Sequence, residues 1–151
     1  LGLILEGDGT GNFKAVSPAA SGIVIPEDAK SVISSDLNGD GRLDLMVGIN
    51  DGPVRSFIRT GGPVPYQVVL EGPAGNRSGI GARVSIQLSD QSIRTGEIRA
   101  GAGYLSQTPA LFSFTTPEGI SPTTSKVQWP DGTVTQSPFP KGKRELRIRR
   151  P

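Results

Sequence analysis

Glycine and proline recur so often along this chain that a long helix does not fit between them. The 151 residues include 21 Gly and 13 Pro, and both residue types disfavour the interior of a helix. No stretch shows the sustained three- and four-residue spacing of apolar side chains that marks an amphipathic helix. Short runs rich in β-branched residues lie between these interruptions instead. The sequence therefore predicts an all-β fold of many short strands.

The clearest strand pattern covers residues 82–88, ARVSIQL, in which Val84, Ile86 and Leu88 fall on one face. The turn at 89–92 leads into a second run at 93–99, so we expect these two segments to form an antiparallel hairpin. Further strands are predicted at residues 66–71, 111–114, 125–129, 133–136 and 145–149. This density of short strands predicts a small antiparallel β-sandwich or open barrel.

The nine residues 36–44, DLNGDGRLD, place oxygen-bearing side chains at alternate positions around a glycine. Calcium takes six to eight oxygen ligands, and a short loop supplies them when several carboxylates and carbonyls turn inward. The spacing predicts a calcium loop in which the seventh residue offers its backbone carbonyl. The candidate metal ligands are the side chains of Asp36, Asn38, Asp40 and Asp44 and the carbonyl of Arg42.

An EF-hand loop would need a bidentate Glu at its twelfth position, which here is Val47. The flanking segments 31–35 and 43–49 have strand patterns rather than helical ones. A turn signal at 50–52 and a further strand-like run at 54–59 follow. The loop therefore belongs to a strand turn and not to an EF-hand. Asp, Asn and Gly also cluster in ordinary polar turns, so a turn without metal stays the alternative.

The Gly- and Pro-rich segment 60–65 divides the chain into two parts of opposite charge. Residues 1–62 carry five Lys or Arg against eight Asp or Glu, a net charge of −3, and residues 63–151 carry eleven against six, a net charge of +5. We predict two units with these boundaries. Part of the positive charge lies in residues 141–150, but apolar residues alternate with charged ones there, which indicates a strand with one wet face. No nucleic-acid partner is expected, because no aromatic residues interleave with these charges.

The chain contains neither His nor Cys. This excludes Ser-His-Asp and Cys-His triads, Cys/His zinc sites, thiol redox chemistry and disulfides. No apolar run has the length needed to span a bilayer, so membrane insertion is not expected. No signal peptide is recognisable, and the sequence starts at Leu1 as if within a repeat, so we expect a fragment whose signal peptide lies elsewhere.

Residues 36–52, DLNGDGRLDLMVGINDG, resemble the calcium loop and following strand of FG-GAP or VCBS repeats, which form the blades of integrin-type β-propellers. Residues 5–13, LEGDGTGNF, are similar to the segment that ends one such repeat. This resemblance covers roughly the first 60 residues and implies a blade remnant with a calcium site. The same residues would be the ligands: Asp36, Asn38, Asp40 and Asp44 by side chains, and Arg42 by its carbonyl.

A second resemblance covers roughly residues 66–150. The segments 76–84 (NRSGIGARV), 101–107 (GAGYLSQ) and 127–134 (VQWPDGTV) are similar, in order and spacing, to three signatures of the ASPIC/UnbV domain. That domain commonly follows FG-GAP repeats in secreted proteins, including those similar to cartilage acidic protein and many bacterial exported proteins. Residues 111–116 depart from the family, which usually has a histidine and a Phe-Gly-Leu-Gly motif there.

These signatures allow two interpretations. In one, a polar and aromatic patch suited to a sugar or peptide forms from Asn76, Arg77, Tyr104, Ser106, Gln107 and Trp129. In the other, which we favour, the glycines shape turns, Trp129 belongs to the core and residues 130–132 form a hairpin turn. A glycosidase-like pair of acids could be drawn from Glu71, Glu97 and Asp131, but nothing in the sequence fixes their separation.

The expected function is that of a non-catalytic, calcium-binding extracellular or periplasmic interaction module, the C-terminal fragment of a larger FG-GAP plus ASPIC/UnbV protein. Calcium would be structural, and the partner would be a protein or a glycan. The alternative is a carbohydrate-binding or carbohydrate-active protein, lyase- or glycosidase-like. The oligomeric state stays open, and an unpaired strand edge leaves strand exchange between chains open as well.

Overall fold

Short strands joined by tight turns make up most of the chain. A computed structural model describes residues 2–101 and 103–151. The described residues contain twelve strands and one helix of four residues. In chain order these are β1 (Ile4–Gly7), β2 (Phe13–Val16), α1 (Pro18–Ser21), β3 (Ala29–Ser35), β4 (Asp44–Ile49), β5 (Arg55–Phe57), β6 (Tyr66–Glu71), β7 (Arg83–Leu88), β8 (Ile93–Glu97), β9 (Leu111–Phe114), β10 (Pro122–Gln128), β11 (Val134–Pro138) and β12 (Glu145–Arg149).

The prediction of an all-β fold is confirmed. All seven strands expected after residue 63 are present, and β9 and β12 have the predicted ends. Strand β10 begins three residues earlier than expected, at Pro122, and β5 is shorter than the predicted run at 54–59. Strands β1 and β2 and helix α1 were not predicted. Helix α1 is a single turn that Ser17 caps by accepting a hydrogen bond from the amide of Ala20 at 3.2 Å.

The first part of the chain forms two small antiparallel sheets. Strands β1 and β2 make a hairpin, and β3, β4 and β5 make a three-stranded sheet with β4 in the centre. Within this sheet Val47, on the central strand, is buried, whereas Val32 on the edge strand is exposed. The sheet therefore has a small apolar interior and open edges.

The second part of the chain is a β-sandwich without a closed barrel among the described residues. One sheet has the strand order β11-β10-β7-β8 and the other β12-β6-β9. Their inner faces share one core, which Val68 and Leu70 enter from β6, and Val84, Ile86 and Leu88 from β7. Successive residues of a strand point to opposite faces, so Val84, Ile86 and Leu88 share the buried face of β7, as predicted.

One strand pairing corrects the expectation of a wholly antiparallel sandwich. Strand β12 lies parallel to β6, with Leu146 opposite Val68 and Ile148 opposite Leu70. Both Leu146 and Ile148 are buried, as the alternation in this basic segment predicted. Burial of these two side chains stabilises the last strand, by about 1.5–3 kcal/mol each relative to an exposed position. The arginines that alternate with them, Arg147 and Arg149, lie on the solvent-exposed face.

Aromatic side chains close one end of this core. The ring of Phe114 stacks on those of Tyr66 and Phe112, each at 5.4 Å between centroids. Phe139 meets Tyr66 and Phe114 edge to face, an arrangement that the ring quadrupoles favour.

Within the part of the chain that the structure describes, sheet pairing does not cross the predicted boundary between residues 62 and 63, and every residue of the main core lies beyond it. One polar side-chain contact crosses it within the described residues. The Ser106 hydroxyl donates to the carbonyl of Val32 at 3.4 Å. Among the described residues no helix has the length and hydropathy to cross a membrane.

Candidate functional site

The candidate calcium loop, residues 36–44, connects β3 to β4. The strand pairing closes around it with Ser35 opposite Asp44. Gly39 and Gly41 have φ of 79° and 81°, a left-handed conformation that glycine adopts without steric cost. The two glycines let the loop reverse direction within a few residues, and they turn backbone amides toward the side chain of Asp36.

Asp36 holds the loop from within. Its Oδ1 accepts hydrogen bonds from the amides of Gly39 at 2.7 Å and Asp40 at 3.1 Å, and its Oδ2 accepts one from Gly41 at 2.8 Å. A carboxylate that accepts several backbone N–H groups is a strong acceptor, because each of these bonds is charge-assisted. Asp36 thus organises three successive amides around one side chain.

Asp44 is the most buried side chain of the loop, with 1% of its surface exposed. Its Oδ2 accepts a hydrogen bond from the amide of Leu37, and its Oδ1 accepts one from the amide of Arg59, both at 2.8 Å. Asp44 therefore ties the start of the loop to the segment that follows β5. The sequence predicted Asp44 as a ligand but did not predict this link to Arg59.

Asn38 and Asp40 lie on the outer side of the loop and are exposed. The Oδ1 of Asp40 accepts from the amide of Arg42 at 2.8 Å, and the Arg42 guanidinium approaches its Oδ2 at 3.5 Å. The hydrogen bond from the Arg42 amide, helped by Asn38 and the guanidinium, lowers the pKa of Asp40 below its usual value. The Oδ1 of Asn38 accepts from the amide of Asp40 at 3.1 Å. Asp40 is therefore ionised at neutral pH.

The donor chemistry of the loop fits calcium. All candidate ligands are hard oxygen atoms, and a carboxylate oxygen that accepts one N–H retains a second lone pair. The carbonyl of Arg42 accepts no hydrogen bond from a described residue. The described residues contain no group of three or more His, Cys, Asp or Glu side chains gathered closely enough to hold a metal ion. The calcium site stays a prediction on this donor set.

The three acids considered for glycosidase chemistry all pair with arginine. Glu71 contacts Arg149 at 3.0 Å, Glu97 contacts Arg99 at 3.3 Å, and Asp131 contacts Arg150. The hydrogen bond from the Thr133 amide, followed by the Arg150 contact, lowers the pKa of Asp131. A glycosidase acid needs a raised pKa to be protonated when it acts, so Asp131 is poorly suited to that role.

The predicted polar and aromatic patch is not gathered on one surface. Trp129 is buried, with 2% of its surface exposed, and its Nε1 donates to the hydroxyl of Thr135 at 2.9 Å. Asn76 bridges its own loop, because its side chain both donates to the carbonyl of Ile80 and accepts from its amide, each at 2.8 Å. Trp129 thus belongs to the core, as the favoured interpretation held, and Asn76 closes its own loop, which the sequence did not predict.

The remaining members of the predicted patch lie elsewhere. Arg77 is exposed beside Asn76, and Tyr104 is 66% exposed. The side chain of Gln107 accepts from the amide of Gly101 and donates to the carbonyl of Thr108, so it closes the 101–107 turn. Ser106 contacts Val32 of the first part of the chain. Ala102 of this motif lies outside the described residues.

Comparison with known protein families gives one match. The family model described as ASPIC and UnbV matches residues 72–151, which confirms the second of the two resemblances. No curated protein matches the chain. Nothing in these comparisons tests the FG-GAP or VCBS repeat in the first 60 residues, which stays a prediction.

Proposed function

Because this chain belongs to the ASPIC and UnbV family, we propose that it is a non-catalytic binding and interaction module that calcium stabilises. The observation that supports this is the loop between β3 and β4, in which three carboxylates and one amide side chain alternate around two left-handed glycines. The three acids considered for catalysis, Glu71, Glu97 and Asp131, each pair with an arginine instead. In this proposal the metal is structural.

Calcium at this loop would neutralise clustered negative charge and bridge oxygen atoms that otherwise repel one another. The residues that would hold it are Asp36, Asn38, Asp40 and Asp44 by side chains and Arg42 by its carbonyl. The chain's own contribution is to fix the loop. Asp44 accepts the amide of Leu37 at the start of the loop and that of Arg59 beyond β5, and Asp36 accepts the amide of Gly41. Little ordering of the loop would therefore remain when the ion binds.

We assign residues 1–62 to an FG-GAP or VCBS-type repeat fragment and residues 63–151 to the ASPIC/UnbV-like domain. The assignment of residues 1–62 is supported by the three-stranded sheet β3-β4-β5, whose first turn is the loop of candidate oxygen ligands. No sheet pairing among residues 2–101 and 103–151 crosses the boundary, which supports two units. The first unit would present the loop, and the second would supply a stable sandwich beside it.

An extracellular or periplasmic location follows from the same proposal. A loop with no acid at its twelfth position has fewer ligands than an EF-hand, and the weakest protein calcium sites, with dissociation constants of about 10⁻⁴–10⁻³ M, are found in extracellular modules. Such a site fills outside the cytosol, where calcium is abundant. The partner there would be a protein or a glycan.

Thermal melting during a calcium titration tests the proposal. If calcium is present at about ten times its dissociation constant, mass action adds about 1.4 kcal/mol to the stability. For a chain of this length that corresponds to a rise in Tm of roughly 3–6 °C. Asp40→Asn should abolish most of the rise, because it removes a ligand charge while its carbonyl oxygen still accepts the amide of Arg42.

The matched control is Glu118→Gln, which removes one negative charge from an exposed turn outside the loop. It should melt like the native chain at every calcium concentration. A native Tm that does not move with calcium, or an equal shift in Asp40→Asn, would refute the metal site.

A further inference from the structure

A cleft lies where the end of β3 and the loop 36–44 meet the outer face of the sheet β12-β6-β9. Its volume is about 430 Å³, within the range of sites that hold small molecules. Six of its lining residues are polar: Ser34, Ser35, Asp36, Gln67, Thr108 and Ser113. We call it the junction cleft, because both parts of the chain contribute to its wall.

Two of these residues are fixed side by side by the sheet. Gln67 on β6 stands directly opposite Ser113 on β9. Their neighbours Val68 and Phe114 point to the buried core, so Gln67 and Ser113 point to the other face of the sheet. The rigid strand pair therefore presents an amide and a hydroxyl to the cleft at a fixed spacing.

The hydrogen-bonding capacity of this wall is unused. The Oγ of Ser113 is buried and has no hydrogen-bond partner among the described residues. Buried polar atoms in folded proteins are nearly always paired, so such an atom calls for an explanation. The side chains of Ser34, Ser35, Gln67 and Thr108 likewise make no hydrogen bond within the described part of the chain. Their groups, which both donate and accept, converge on one space.

The rest of the cleft lining consists of apolar residues and one charged residue. Leu43 and Leu111, the latter on the same face of β9 as Ser113, supply an apolar surface beside the polar groups. Asp36 is the one charged residue of the described lining, and its oxygens already accept the amides of its own loop. With no cationic side chain in the wall, nothing favours an anionic ligand.

We propose that the junction cleft binds one residue of an uncharged sugar. Hydroxyl and amide groups that donate and accept match the hydroxyls of a sugar, and the apolar surface matches its C–H face. This proposal rests on the binding role proposed above and names its ligand class, but it does not depend on calcium. The ligand would contact both parts of the chain at once.

The test is an NMR titration of the whole chain with separate neutral monosaccharides: glucose, galactose, mannose, fucose and N-acetylglucosamine. Glucuronic acid serves as the anionic comparison. At least one neutral sugar should give saturable shifts of backbone amides in residues 34–36, 67 and 108–113. Gln67→Ala and Ser113→Ala should each weaken its binding about fivefold, as the loss of one hydrogen bond predicts. Gln136→Ala, an exposed glutamine on β11 in the other sheet, should bind like the native chain.

Binding would be measured with calcium and with a chelator, and a melting curve on the same samples would report folding and the calcium shift. Ser34→Ala provides a second test from the first part of the chain if either sandwich variant fails to fold. The proposal is overturned by the absence of saturable shifts with every neutral sugar, by unchanged affinity in the folded variants, or by preference for glucuronic acid. Loss of the calcium shift with sugar binding intact would count against the calcium proposal alone.

Discussion

Replacing Asp44 by alanine separates the structural role of this carboxylate from any role as a metal ligand. The side chain is 1% exposed and accepts two backbone amides at 2.8 Å, those of Leu37 and Arg59. A hydrogen bond to a charged group contributes about 1.5–3 kcal/mol, and the two amides would stay without a partner in the variant. We therefore expect Asp44→Ala to lower the free energy of unfolding of the first part by about 3–5 kcal/mol.

This loss should appear in the presence of a chelator, because it does not involve calcium. Asp44→Asn should lose less, since its carbonyl oxygen can still accept one of the two amides. Glu118→Gln is again the control for removal of a negative charge, and it should change the stability by no more than about 0.5 kcal/mol. Urea unfolding followed by circular dichroism measures all four chains.

Trp129 makes the assay more informative, because it is the only tryptophan and lies in the core of the sandwich. That core contains no residue before Val68. If the two parts are separate units, Asp44→Ala should shift the part of the transition that circular dichroism detects in the first sheets, while the fluorescence transition of Trp129 stays in place. A chelator-treated Asp44→Ala that unfolds like the native chain would refute the hydrogen-bonding role.

Two further predictions concern the hairpins. Gly96→Ala should destabilise the sandwich by about 1–3 kcal/mol, because the added Cβ would overlap the ring of Phe112. The control is Gly75→Ala, where a Cβ meets no atom within 4 Å, and it should be near neutral in the same melting assay. Equal stability of the two variants would contradict this prediction. The pKa of Asp8 is lowered from 3.8 to about 2 by hydrogen bonds from the hydroxyl and amide of Thr10 and from the side chain of Asn12. The stability that Asp8 gives to the β1–β2 hairpin should therefore be complete above about pH 4 and lost as the pH falls through about 2. A carboxyl NMR titration should give that midpoint in the native chain and a higher one in Thr10→Val, and a native midpoint near 3.8 would be the contrary result.

Local pattern was enough to predict most strands of the sandwich. Alternation at Val84, Ile86 and Leu88 predicted which face is buried, because side chains in a strand alternate regardless of its partner. Helix α1 and strands β1 and β2 were missed. Each has four residues and lacks the alternating aromatic residues that identified the equally short β9, Leu111–Phe114. The basic segment of β12 was correctly interpreted as a strand with one wet face.

The candidate site was predictable only in part. The spacing of Asp36, Asn38, Asp40 and Asp44 can be read from nine consecutive residues, because all four belong to one short loop. The amide of Arg59 that meets Asp44, and the Gln67 and Ser113 pair in the junction cleft, come from strands distant in sequence. Nothing in the sequence near Asp44 indicates that its carboxylate is buried.

The sequence by itself determined the fold class, the ASPIC and UnbV membership and the oxygen-rich loop, since each depends on local spacing and residue type. The tertiary structure alone decided that β12 runs parallel to β6, that the side chain of Trp129 is buried, and that Glu71 and Asp131 pair with Arg149 and Arg150. It also brought the unused polar groups of both parts to one cleft. These features depend on which distant segments pack together, and that is set by the burial of the whole core and not by any one segment.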